Sequence, residues 1–451
     1  MNTLFLNIYR WFEIDYLVRL ALIAKLFGLC SAPITLILIV QNLTPELQGY
    51  YYTFASVLSL QGFVELGLGA VLIQFSAHEW AHLSLNRKGF IVGNIRSYSR
   101  LSSLLKISIK WYRNASVLIL FFIGVGGAIF FNQSGSNLDW FGPWILVTIV
   151  SSLTILTIPI LSIIEGCNFL EKLYKLRLIQ GLTASLILWV SILMDLGLWS
   201  IGISGLCVLL ITCIVLYRNF QNFFIALFKI KNFAYCVSWK QEIFPMQWRV
   251  ALGTISSFFL FSFFVPISFK YLGPEVAGQM GMTMTLIMAI GNFSFVWFSP
   301  KMSLLAQYAA KESFGDLDKL FFKTTKVTSV ILILISIIFV ALVYLANVLD
   351  LKIANRILPL NITLIFLISN IVGFASAPFS YYMRAFKKEP IAILGFIGSM
   401  LIGVSTYIFA KQGSLYGVSI SALLVNSSIT LGIIYIWNLH RNKVLNTSSI
   451  K

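Results

Sequence analysis

The chain alternates between long uncharged apolar runs and short breaks that hold its charges, prolines and glycines. Twelve such runs read as helices, near residues 17–40, 50–74, 115–131, 142–164, 178–194, 198–217, 250–270, 279–299, 327–348, 358–382, 390–410 and 415–437. Each is long enough to cross ~30 Å of hydrocarbon, whereas barrel strands would be about 10 residues long and alternating. The pattern predicts an all-α integral membrane protein with about twelve transmembrane helices. Residues 2–16 mix aromatics with Arg10, Glu13 and Asp15, which suits an amphipathic helix lying in the interface. No small-residue cleavage pattern follows the first run, so a cleavable signal is not expected.

Composition agrees. Hydrophobic residues make up 58% of the chain, charged ones 11%, and mean hydropathy is +0.88, values foreign to soluble domains. The net charge of +17 would suggest nucleic acid in a soluble protein. Here it sorts by side instead, and no nucleic-acid partner is expected. With the N-terminus inside, 28 of the 33 Lys and Arg fall on inside segments. Lys270, Lys352, Arg356 and Lys411 fall outside, and Lys25 lies within the first span. Both termini are therefore expected in the cytoplasm.

Leu43-Thr44-Pro45-Glu46-Leu47-Gln48-Gly49 returns as Leu272-Gly273-Pro274-Glu275-Val276-Ala277-Gly278, offset by 229 residues without a gap. Both copies fall on outside connections, after the first and the seventh span. This predicts two parallel six-helix lobes around a central cavity: residues 1–217, a cytoplasmic linker at 218–249, and residues 250–451. The motif itself reads as turn chemistry, Pro-Glu followed by Gly. Pro33, Pro159, Pro266 and Pro378 sit inside spans, as bendable helices or as ordinary membrane kinks.

Candidate chemistry is sparse. His78-Glu79-Trp80-Ala81-His82 fits the HExxH zinc-protease helix, in which paired imidazoles bind metal and the glutamate activates water. It lacks a third ligand, because the remaining histidine is His440 and no acid lies between Glu79 and Asp139. No metal is therefore expected, and the stretch reads as a polar helix end anchored by Trp80. Lys25 and Glu65 lie deepest in the first two spans, where ionisable groups are costly. Both sit roughly 12–15 Å from the inner ends, so adjacent antiparallel helices would bring them side by side. They read as cavity residues, as a structural ion pair, or as a snorkelling lysine. Arg19, Arg249, Lys270 and Lys301 border spans, as topology anchors or as mouths of a basic vestibule. Asn292, Asn361, Asn370 and Asn426 are cavity polars or interhelical hydrogen-bonders. Five cysteines without a CxxC pair argue against disulfides and thiolate metal sites. No phosphate-cradling GxxxxGK[ST] loop occurs. No cofactor is implied, and transport would be secondary or driven by the membrane potential.

The run Leu43 to Gly49, then Tyr50-Tyr51-Tyr52-Thr53-Phe54, Glu65-Leu66-Gly67-Leu68 and Gln74-Phe75-Ser76-Ala77-His78-Glu79, resembles the Wzx-type oligosaccharide flippases of the multidrug/oligosaccharidyl-lipid/polysaccharide exporter (MOP) superfamily. The local likeness covers the first 80 residues or so, and the two-lobe layout extends it. The resemblance implies a transporter rather than an enzyme, resident in a bacterial inner membrane. It would move an undecaprenyl-diphosphate-linked oligosaccharide from the cytoplasmic to the periplasmic leaflet by alternating access, in O-antigen or lipopolysaccharide assembly. Partners would be that lipid-linked glycan, membrane lipid and other membrane proteins of polysaccharide assembly. Lys25 matches a basic residue that members tend to carry in the first helix, while no basic residue stands within the eighth span. A cation-coupled small-molecule antiporter of the same superfamily is the alternative. A polysaccharide polymerase or ligase would need larger external loops, and the zinc protease remains the other enzyme reading.

Overall fold

The computed structural model describes residues 16–86, 91–133, 138–229, 235–386 and 391–448, without the side chains of 16–22, 24–26, 29, 300, 303, 310 and 444–448. The interfacial helix expected over 2–16 lies outside this set. The chain is helical at each of the twelve predicted spans. The helices are α1 (Tyr16–Asn42), α2 (Pro45–Glu65), α3 (Leu68–Trp80), α4 (Ile95–Asn132), α5 (Phe141–Gly166), α6 (Leu170–Leu193), α7 (Trp199–Lys229) and α8 (Trp239–Ser262). They continue with α9 (Phe264–Leu272), α10 (Pro274–Phe295), α11 (Met302–Ala310), α12 (Phe314–Val348), α13 (Leu360–Ala385), α14 (Ala392–Lys411) and α15 (Leu415–Ser448). Among the described residues, eight helices are long and apolar enough to cross a membrane, and two bent pairs bring the number to ten.

Three departures from the sequence pattern have physical causes. The second span is not continuous. Leu66 (φ 52°) and Gly67 (φ 65°) are left-handed, and α2 meets α3 at 45°. Glycine tolerates that conformation; leucine does so at some cost. A similar break of 42° separates α8 from α9, just after a π-helical stretch at Phe258–Ser262, the kind of wide turn that bends membrane helices. Thirdly, helix runs into the basic segment expected as an inside loop. Leu83–Leu85 pairs antiparallel with Ile91–Gly93, and α4 then starts early, because Asn94 caps it by accepting from the Arg96 N–H at 2.8 Å. At 38 residues, α4 is far longer than a bilayer is thick. Leu101, Leu104, Leu105 and Tyr112 recur at helical spacing along its basic half and are fully buried.

The chain forms two compact units, residues 1–44 with 57–254, and residues 45–56 with 255–451. In the first unit α6 packs on α1 and α7. The Trp189 Nε1–H donates to Thr35 Oγ1 at 2.8 Å, and Gln180 Nε2 to Thr212 Oγ1 at 2.7 Å. Such side-chain bonds hold helices together where lipid removes the hydrophobic incentive. In the second unit α15 packs on α13 and α14, over a core of Phe298, Leu317, Phe321, Tyr382, Met383 and Trp437.

From Pro45 and from Pro274 onward, both copies of the repeated motif lie within the second unit, and their closing glycines are not loop residues. Pro45 and Pro274 each open a helix, where the missing N–H costs nothing, and Glu46 and Glu275 stand in the first turn. Gly49 and Gly278 follow inside those helices, and there the two copies touch. A Cβ on Gly49 would lie 2.0 Å from the Pro274 carbonyl oxygen, and one on Gly278 would lie 2.9 Å from the Gly49 nitrogen. The two equivalent helix starts cross at their glycines, as small residues permit. Beside the crossing, buried Gln48 donates from Nε2 to the carbonyls of Gly278 at 3.0 Å and Arg356 at 3.1 Å. Burial lowers the pKa of the Arg356 guanidinium from its ordinary value, and the nearby Glu275 carboxylate opposes the shift.

Candidate functional site

Glu65 closes α2 immediately before the left-handed break. Its Oε1 accepts from the Tyr112 hydroxyl at 3.1 Å and more weakly from the Gly69 N–H at 3.4 Å, in the first turn of α3. Tyr112 is fully buried on α4. The break therefore places a carboxylate over the start of α3 and against a phenol. Gly67 permits it: a Cβ there would meet Val250 Cγ1 of α8 at 2.4 Å. Tyr112 and Gly69 are the described partners of Glu65. Lys25, expected beside it, lies on α1 with its side chain outside the described residues, as does that of Arg19.

The HEWAH glutamate has a different role from metal chemistry. Glu79 is buried, and its Oε1 accepts from Arg100 Nε at 2.6 Å; Arg100 Nη2 donates to Glu242 Oε2 at 2.5 Å. Glu242 in turn accepts from the Ser238 N–H at 2.9 Å. One guanidinium thus bridges α3, α4 and the start of α8. The side chain of His78 is 80% exposed. Among the described residues, no group of three His, Cys, Asp or Glu could hold a metal ion. The same end of α4 pins the segment before α8: Ser99 Oγ donates to the Tyr235 carbonyl at 2.9 Å, and the Val237 N–H donates to Ser103 Oγ at 3.3 Å.

The border cations are dispersed. Arg249 is exposed, with its guanidinium 5.7 Å from the Trp248 ring, and Lys270 is exposed, 5.7 Å from the Tyr271 ring. Lys301 is exposed just beyond the end of α10. Lys270 and Lys301 belong to opposite ends of α10, whose 22 residues separate them by roughly 33 Å. They do not share one site.

Two cavities of the second unit share wall residues. The first, of about 260 Å³, is lined by α8, α9, α10, α13, α14 and α15, with Phe261, Phe264, Phe366 and Phe374 as its aromatic walls. Asn370 and Asn426 are its amides. Asn426 Nδ2 donates to Ser369 Oγ at 2.8 Å, and Asn370 Nδ2 to the Phe366 carbonyl at 3.1 Å. The second, of about 410 Å³, carries Asn292, Ser56, Ser262 and Thr285, and shares Phe261 and Met284 with the first. Among the described residues, no acid, lysine or arginine lines either. Three of the four asparagines singled out by sequence thus reach a cavity; Asn361 instead donates to the Tyr416 hydroxyl at 3.0 Å. Tyr52 lines the second of these cavities, but its hydroxyl is buried without a hydrogen-bond partner among the described residues. Tyr52→Phe is expected to leave thermal stability unchanged or raise it by roughly 1 kcal/mol, because it removes an unsatisfied polar atom. Melting of the purified protein in detergent checks this, and a clear drop would mean that the hydroxyl is used.

Three comparisons bear on this architecture. No family profile matches the chain, and no curated protein does. Solved structures do. A multidrug resistance MATE family transporter of the MOP superfamily, in an inward-facing conformation, superposes with a TM-score of 0.63 at 15% identity, covering 94% of this chain and 96% of the other. The fold is that of MATE-type transporters. A MATE structure in complex with MaD3S gives a TM-score of 0.55 at 13% identity, covering 95% and 96%. A MOP superfamily transporter from Pyrococcus furiosus gives 0.51 at 13% identity, covering 93% and 96%, and its binding pocket is described as reversed in polarity. Within the MATE-type fold of this chain, the sequence pattern missed several residues that matter. Arg100 was one of seven basic residues of a supposed loop, and Tyr112 an unremarked aromatic. The available signal was Glu242, a lone acid in a strongly basic linker.

Proposed function

We propose that this protein is a secondary transporter that moves an undecaprenyl-diphosphate-linked oligosaccharide between the leaflets of a bacterial inner membrane by alternating access, with both termini in the cytoplasm. The observation that supports it best is the neutral, polar and aromatic lining of the second-unit cavities. A cation antiporter needs carboxylates where its cargo sits, whereas a glycan needs amides, hydroxyls and aromatic faces. The likeness of residues 43–79 to Wzx-type flippases points the same way. In this reading Lys25 and Arg19 on α1, with Arg249 on α8, receive the diphosphate, since charge-assisted bonds to phosphate are the strong ones. Lys270 and Lys301, at opposite ends of α10, would serve entry and exit rather than one binding pose. Glu65, with Tyr112, carries the coupling proton.

One observation favours a second reading. Glu65 is a membrane-embedded acid in the first unit, which a cation-coupled small-molecule antiporter of the same superfamily would also use. Reconstitution separates the two. Lys25→Ala is expected to lower transport of lipid-linked glycan at least a hundredfold with normal membrane abundance, and Glu65→Gln to remove its dependence on a proton gradient. Full activity of Lys25→Ala would dismiss the phosphate assignment. Export of cationic dyes by protein that leaves the lipid-linked glycan unmoved would favour the antiporter.

A further inference from the structure

The smaller cavity of the second unit has features that a purely structural void lacks. Its volume of about 260 Å³ falls just below the ~300–1,000 Å³ of pockets that hold drug-sized molecules, so it suits a single ring. Dry internal cavities are lined by apolar groups, but here two amides and the hydroxyls of Ser369, Ser376 and Thr430 reach the wall. Each amide has four hydrogen-bonding positions. One is accounted for on Asn426 by Ser369, and one on Asn370 by the Phe366 carbonyl. Phenylalanine rings line the same space. An alkyl chain would offer nothing to the remaining amide positions, at about 1–3 kcal/mol for each group left unsatisfied when buried. A phosphate, carboxylate or ammonium would find no counter-charge on these walls and would bear a larger desolvation cost. The ligand that satisfies both kinds of wall is uncharged, with hydroxyl groups along its edge and C–H faces to lie on the rings.

Two glycines mark the space. Gly373 and Gly395 both line the cavity, and a Cβ built on either meets no atom within 4 Å. Elsewhere in this unit, glycines at helix contacts are tightly filled: a Cβ on Gly398 would lie 2.1 Å from Ile429 Cδ1. Gly373 and Gly395 therefore keep room open rather than bring helices together.

We propose that this cavity is a subsite for one neutral sugar ring, gripped at its hydroxyls by Asn370 and Asn426 and seated on the phenylalanine walls. The inference rests on the flippase reading and names the part of its substrate that the second unit selects: an uncharged sugar, as opposed to a uronic acid or a phosphate-bearing one. The adjoining cavity, joined through Phe261 and Met284, offers Asn292 to a neighbouring ring.

Two measurements on the full-length protein test it. In proteoliposomes, movement of a polyprenyl diphosphate bearing one N-acetylhexosamine is compared with that of the sugar-free polyprenyl diphosphate. Asn426→Leu and Gly395→Leu are expected to slow the sugar-bearing carrier at least tenfold and leave the sugar-free one unchanged. A Cβ at Gly395 meets no atom within 4 Å, so misfolding is not expected to confuse the result, and a melting curve checks this. Equal slowing of both carriers, or of neither, would overturn the subsite while leaving the flippase reading intact. In the second measurement Gly395→Cys is labelled in detergent with a small thiol reagent, with the native cysteines replaced by serine. Methyl glycosides of a neutral hexose, a 6-deoxyhexose and an N-acetylhexosamine are the probes, and at least one is expected to protect the thiol, while a methyl uronate and a cationic dye do not. Protection by the dye or the uronate instead would overturn the proposal. Protection by a neutral glycoside with neither carrier transported would keep the subsite and remove the flippase reading.

Discussion

Gly49→Leu is expected to prevent accumulation of folded protein in the membrane. The Cβ of any larger residue would sit 2.0 Å from the Pro274 carbonyl oxygen and 3.0 Å from its Cα, and both are backbone atoms that no rotamer change can move. The cost therefore exceeds the about 1–3 kcal/mol that overpacking with flexible side chains ordinarily brings. Gly278→Leu should fail similarly, since its Cβ would press on the Gly49 nitrogen at 2.9 Å and the Pro45 carbonyl at 3.2 Å. Gly126→Leu is the control: it also lies in a membrane helix, but no atom stands within 4 Å of its Cβ position. Membrane abundance and detergent melting measure the contrast. A Gly49→Leu protein that melts like wild type would show that the two motif copies do not cross as described.

Arg100→Met should be nearly as damaging, for an electrostatic reason. It strips the partner from Glu79, a buried carboxylate, and from Glu242, and removing one member of a buried ion pair costs about 3–5 kcal/mol. Lys at this position should recover only part of that loss, because an ammonium lacks the rigid fork that meets both carboxylates at 2.6 and 2.5 Å. The double variant Glu79→Gln with Arg100→Met should be more stable than Arg100→Met alone, since it no longer buries an uncompensated charge. The melting temperatures of the four proteins form the test. Additive losses would mean that the two groups are not coupled. The same set addresses the HExxH pattern, because a metal-activating glutamate would show its effect in zinc content and hydrolysis instead of in melting.

Several features were legible in the sequence because they are one-dimensional. A span must be apolar over the hydrocarbon thickness, and loop charges sort by side, so helix count follows from counting along the chain. The half-length repeat is likewise a matter of spacing, and it led to the residues where the two motif copies meet. The embedded acid Glu65 stood out because ionisable residues are rare at that depth.

What the tertiary structure decided depends on residues far apart in the chain. The motif glycine looked like turn chemistry, and only the approach of Pro274, 225 residues on, shows that it makes room for a helix crossing. Glu79 read as part of a polar helix end, and only the approach of Arg100 and of Glu242, from the basic linker, shows it to be one end of an ion-pair network. Asn370 and Asn426 were as easily read as interhelical ties as cavity walls; both line a cavity, and Asn426 also ties α15 to α13 through Ser369. Hydrophobicity acts on each residue separately and so can be summed along a sequence. Backbone proximity, charge pairing and enclosed volume are properties of pairs and groups, and they come into being only when the helices pack.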